Sequence, residues 1–142
     1  MMRIEYSNID FSDLHGDLLA DYLIAIEADL KLLDDDGSLI YVEPYFPIVE
    51  LARSLTTWLI GGNGNDFRFD SLSFEEQGTV TILSEGPGWY VFSSFAPDTR
   101  SSPHDWVQVQ TCVTDYIRRV RIDLTHQGLD PDQVIGPDLR VD

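Results

Sequence analysis

The chain has 142 residues, 43 % of them hydrophobic, with 7 Phe, 6 Tyr and 3 Trp; this is a globular composition, of a size that forms one domain and buries a core without staples. Nine Lys and Arg stand against 25 Asp and Glu, a net charge of −16, and a field of that sign repels nucleic acid and anionic membranes while it attracts basic proteins and divalent cations. No apolar run reaches the ~18 residues of a membrane-spanning helix, and the opening Met1-Met2-Arg3-Ile4-Glu5-Tyr6 has no signal-peptide apolar region, so the expected compartment is the cytoplasm.

Residues 3–7 alternate, with Ile4 and Tyr6 on one side, and predict a short strand. Residues 8–21 carry four aspartates around Phe11, Leu14, Leu18 and Leu19 and read mostly as loop. Residues 23–33 predict a longer strand, with Ile24, Ile26, Ala28, Leu30 and Leu32 on its apolar face and Glu27, Asp29 and Lys31 on a wet one. Asp34-Asp35-Asp36-Gly37 is a hairpin turn, expected as type I′, and residues 38–43 return as the partner strand.

A central helix follows, with Pro47 expected in its first turn and Gly61-Gly62 ending it. Ile48, Leu51, Ala52, Leu55, Trp58 and Leu59 recur at three- and four-residue steps on one face; Glu50, Arg53, Thr56 and Thr57 lie off it. Residues 61–65 are a glycine-rich loop without the Gly-Lys-Ser/Thr ending of a phosphate loop. The second half predicts a three-stranded meander: residues 66–74 with a bulge near Asp70-Ser71, then 79–85, then 89–95. A second helix spans residues 104–127, capped by Ser102 with Pro103 next, its apolar face running through Trp106, Val109, Val113, Tyr116, Val120 and Leu124. Arg118, Arg119, Arg121 and His126 complement its negative end. The expected fold is α+β in the order β-β-β-α-β-β-β-α: a single mostly antiparallel sheet of about six strands with two helices on one face, over residues 1–128. Residues 129–142 form an acidic, proline-containing tail, expected to be loosely held.

Signatures of catalysis are missing. There is no Gly-x-Ser-x-Gly and no His-Glu-x-x-His, and His15, His104 and His126 stand in no recognisable context. His15 near Asp13 reads as loop hydrogen bonding and His126 as a helix end. Asp34-Asp35-Asp36 offers oxygen ligands for calcium or magnesium but lacks the spacing and closing glutamate of an EF-hand, so it reads as a solvated turn. Cys112 has no second cysteine to pair with and reads as a small core residue. Trp58, Trp89, Tyr90 and Trp106 sit at helix or strand periodicity and read as core. Neither a metal nor a cofactor is expected, and no enzymatic activity.

The helix Pro47-Ile-Val-Glu-Leu-Ala-Arg-Ser-Leu-Thr-Thr-Trp-Leu59, the stretch Phe67-Arg-Phe-Asp-Ser-Leu-Ser-Phe-Glu-Glu76, then Gly88-Trp-Tyr-Val-Phe92 and the closing helix together resemble the small immunity proteins of bacterial polymorphic and contact-dependent toxin systems, of the cell-wall-associated toxin type. The resemblance covers about residues 40–125 and its motif is apolar. It implies a cytoplasmic α+β protein that binds a cognate toxin domain and blocks it. A toxin that cuts nucleic acid is basic because its substrate is a polyanion, and an acidic partner is steered to it. The acidic surface expected to make that contact contains Glu27, Asp29, Asp34, Asp35, Asp36, Glu75 and Glu76. Three other readings remain open from sequence: an acidic mimic of nucleic acid acting on a DNA-binding protein, an enzyme with His15 or His104 and carboxylates in a pocket, and an oligomerising domain.

Overall fold

The structure is a computed structural model that describes residues 1–62 and 64–139; Asn63 of the glycine-rich loop and residues 140–142 of the tail lie outside the described residues. The chain runs β1 (Arg3–Asp10), α1 (Leu19–Ala25), β2 (Glu27–Leu33), β3 (Leu39–Phe46), α2 (Ile48–Gly61), β4 (Phe67–Arg68), β5 (Thr81–Glu85), β6 (Gly88–Phe92), α3 (Trp106–His126) and α4 (Pro131–Val134). The architecture is α+β with antiparallel pairing, as the patterning predicts.

The expected single sheet of six strands is instead two sheets of three, β1-β2-β3 and β4-β5-β6, and the two main helices are joined by the short α1 and α4. The free edges account for the separation. On β3, Pro44 has no N–H to offer a further strand, and Tyr45 turns left-handed at φ 54°. The outer edge of β6 is already taken, by bridges from Trp89 to His104 and from Phe92 to Arg100.

The first sheet has the predicted wet and dry faces. Ile4, Tyr6, Ala28, Leu30, Leu32, Ile40 and Phe46 are buried, while Arg3, Ser7 and Lys31 are exposed. Helix α2 packs on β2 and helix α3 on β1, and the two helices pack on each other. Tyr116 of α3 meets Tyr6 edge-on at 5.9 Å and donates its hydroxyl to the Ile48 carbonyl oxygen of α2 at 2.7 Å. Leu30, Leu32, Ile48, Leu51 and Leu55 are fully buried at this junction, each worth about 1.5–3 kcal/mol relative to exposure.

Elsewhere tertiary contacts override the local pattern. Residues 19–25 form a helix where loop was expected up to residue 21 and strand from residue 23, because Leu23 and Ile26, three apart, are the buried pair and Ile24 faces solvent. The hairpin turn closes with Gly37 N–H on the Asp34 carbonyl oxygen at 2.9 Å, and only Gly37 takes positive φ (82°). That is a type I turn followed by a left-handed glycine, not the expected type I′. Only Phe67–Arg68 of the predicted strand 66–74 is a strand, because the Ser71 hydroxyl and the Leu72 N–H turn onto Glu50 while the Leu72 side chain faces solvent. Glu50 and Thr56, expected off the apolar face of α2, are both buried. Helix α3 starts two residues later than predicted and is capped by Asp105, whose carboxylate accepts from Gln108 N–H at 2.8 Å while the Gln108 amide oxygen accepts from Asp105 N–H. Ser102 and His104 are engaged elsewhere.

The tail is not loosely held over its described part. Val134 and Ile135 are buried, and Arg53 and Arg121 donate to the carbonyl oxygens of Val134 and Gly136 at 3.1 and 2.7 Å.

Candidate functional site

Two polar constellations lie at opposite ends of β2. At its start, both neighbouring strands bulge. The β1–β2 register shifts between Ser7 and Asp10, and the β2–β3 register shifts between Ala28 and Leu30, so each outer strand carries one extra residue there. Asn8 and Tyr45 absorb the bulges at φ 56° and 54°, the positive-φ non-glycine residues among those described. The two bulges splay the strands and open a hollow of about 380 Å³ lined by Asn8, Asp10, Glu27, Ala28, Asp29, Pro44 and Tyr45.

The hollow is acidic and its rim is aromatic. Burial pushes the Glu27 carboxyl above its ordinary value, and the charges of Asp13 and Asp10 push in the same direction. Asp10 is held below its ordinary value by the hydroxyl and N–H of Ser12. Asn8 donates to Asp29 at 2.9 Å. Among the described residues, no cation pairs with Asp10, Glu27 or Asp29. Tyr45 is 79 % exposed. Carboxylates beside an open aromatic ring suit the guanidinium or ammonium group of a partner's side chain.

At the other end of β2, Asp34 meets the segment before α3. It accepts from Ser102 N–H at 2.7 Å, from the Ser102 hydroxyl at 3.0 Å, and lies 3.2 Å from His104 Nε2. Burial works to raise the Asp34 carboxyl, but these bonds and the Asp35 N–H outweigh it and hold the group below the usual carboxylate range. His104 is 3 % exposed, and its Nδ1 faces the Asp35 carboxylate at 3.8 Å. Serine, histidine and aspartate are thus together, but Ser102 and Asp34 approach the same ring nitrogen. A nucleophilic relay needs its serine and its carboxylate on opposite nitrogens.

The predicted acidic residues therefore divide. Glu27 and Asp29 share the hollow. Asp34 and Asp35 join His104 at the far end of the strand, and Asp36 accepts from Ser38 N–H within its own turn. Glu75 and Glu76 are exposed on an irregular segment that Phe74 anchors 5.9 Å from Phe46, the residue after Tyr45. His15 is exposed in the loop before α1. Asn8, Asp10 and Tyr45 were not among the predicted residues. A left-handed Asn is a known habit of that side chain, but no pattern announces a left-handed tyrosine. The three tryptophans, read as core, are half-buried against it and meet one another, Trp58 edge-on to Trp106 at 5.5 Å and to Trp89 at 6.3 Å.

Residues 2–126 match a protein family described as Domain of unknown function (DUF7878). No curated protein and no solved structure matches the chain.

Proposed function

The chain belongs to the DUF7878 family, and we propose that it acts by binding: a non-enzymatic, acidic cytoplasmic protein that docks on a basic protein partner and neutralises it, as an immunity protein does a toxin domain. The observation that carries this reading is the hollow at the bulged end of β2, where Asp10, Glu27 and Asp29 have no paired cation among the described residues and stand beside the open ring of Tyr45. A net charge of −16 steers a basic partner toward the molecule from a distance, and the hollow gives that partner one place to insert an Arg or Lys side chain. Two left-handed residues at the same place fit a binding role, since strained backbone collects at such sites.

The test is affinity capture from the lysate of the source cells at low and at moderate salt, with the wild-type chain and with a Glu27→Lys, Asp29→Lys variant. One stoichiometric basic protein, kept at moderate salt and lost by the variant, supports the reading and supplies the partner for inhibition assays. Scattered basic proteins that all wash off with salt, bound equally by both chains, overturn it.

A further inference from the structure

The outer face of the first sheet is open. Helices α2 and α3 pack on the dry side, and none of the outward side chains of β1, β2 and β3 is buried. The two irregularities in the β2–β3 register each add a residue to β3, so its outward positions fall three apart, at Leu39, Val42 and Tyr45. Leu39 lies across from Leu33, Val42 lies across from Lys31, and Tyr45 stands over the hollow with Asp29. The three are 53 %, 44 % and 79 % exposed. They form an apolar column on an edge strand, and the column runs into the acidic hollow. Resting on the binding reading above, we propose that this face docks one amphipathic helix of the basic partner, with an Arg or Lys in the hollow and the apolar side of the helix over Val42 and Leu39.

Charge decides the character of the segment. Towards the β2–β3 turn the face is slightly positive, since Arg3 and Lys31 flank Glu5, Arg3 at 2.8 Å. Lys31 is the single lysine of the chain. At the other end Asp10, Glu27 and Asp29 have no paired cation among the described residues. A segment basic throughout would meet Arg3 and Lys31. A segment apolar throughout would leave three carboxylates unanswered. The segment that complements the face is basic at one end and apolar along the rest.

Size decides between a helix and a second copy of the chain. The face follows β2 from Glu27 to Leu33, about 20 Å, and its three strands span about 15 Å, roughly 300 Å² in plan. A stable dimer needs about 800 Å² from each copy. A single helix is about 10–12 Å across, and 20 Å of it is ~13 residues, which matches the face in both directions.

The edge excludes an added strand. Pro44 lacks an N–H, and the two irregularities interrupt the outer side of β3. The partner therefore lies on the face and not along its edge.

The test is NMR titration of the isotope-labelled full chain with N-acetylarginine amide and with two alanine-based helical peptides of about 14 residues and equal composition. One peptide carries Arg near one end and leucines at three- and four-residue steps on the same side; in the other the leucines are spread around the helix. The one-sided peptide is expected to shift the amide signals of Asp29, Tyr45, Val42 and Leu39. It is expected to bind about tenfold or more tightly than the spread peptide or the arginine amide, because it removes Val42 and Leu39 from water. The double variant Leu39→Thr, Val42→Thr places β-branched polar side chains at exposed strand positions. It is expected to cancel that gain and to leave the arginine amide shifts at the hollow unchanged. If arginine amide shifts the hollow but the one-sided peptide binds no better, or the double variant keeps the gain, the docking proposal is overturned and the binding reading stands. If no probe shifts the hollow, the binding reading falls and the docking proposal with it. Val42 and Leu39 signals that move with protein concentration alone would put a second copy on the face and overturn the proposal.

Discussion

Ser71 donates its hydroxyl to a carboxylate oxygen of Glu50, 21 residues earlier, with both side chains buried. The other oxygen accepts Leu72 N–H at 2.9 Å. One acid on α2 thereby bends residues 69–78 out of strand geometry. Glu50→Gln would turn an N–H₂ group toward one of these two donors. The expected loss is about 1–3 kcal/mol, read from urea unfolding.

Ile135 is 2 % exposed although it lies beyond the last long helix. Arg53 and Arg121 hold the backbone on either side of it. Ile135→Ala is expected to cost about 2–5 kcal/mol, the penalty of a core site. A loose tail would show almost no change in the same measurement.

Burial pushes the Cys112 thiol up to about 12. The thiolate is the reactive form, so the native protein is expected to resist thiol reagents at pH 8 and to react with one equivalent on unfolding. Rapid labelling of the folded chain would place Cys112 outside the core.

The Glu27 carboxyl is raised in the folded state by burial and by Asp13 and Asp10. The folded protein therefore holds this proton more tightly than the unfolded chain does. Its stabilising contribution is complete below the ordinary glutamate value and is lost as pH rises through the folded value. Glu27→Gln, which stays neutral, is expected to be more stable than wild type at pH 7 by up to about 0.5 kcal/mol. The difference should vanish as the pH falls below the ordinary glutamate value. Unfolding curves at several pH values measure it.

What was legible in the sequence follows from where burial is one-sided. The β1-β2-β3 meander and the long face of α3 were readable because a period-two pattern runs through the strands as far as their bulges and a period-3.6 pattern through the helix. Helix α1 was misread because Ile24 continues the alternation of β2 while pointing into solvent. The segment 69–78 was misread because the contact that shapes it is polar and comes from another helix. The cluster of Asp34 and His104 could not be read at all, since its members stand 70 residues apart. The acidic hollow was half legible: alternation put Glu27 and Asp29 on one face, but the bulges that open that face follow from no local motif.

Tyr6 on the first strand packs against Tyr116 on α3 and donates its hydroxyl to Asp123 of the same helix. The dry face of the first sheet is therefore closed in part by the longest helix, which is made last but one. With about 110 residues between Tyr6 and Tyr116, and synthesis at ~5–20 residues per second, Ile4 and Tyr6 wait roughly 5–20 s for their cover. During that time α2 alone can cover the first sheet, over β2, and the β1 side of its apolar face stays open until translation has passed α3.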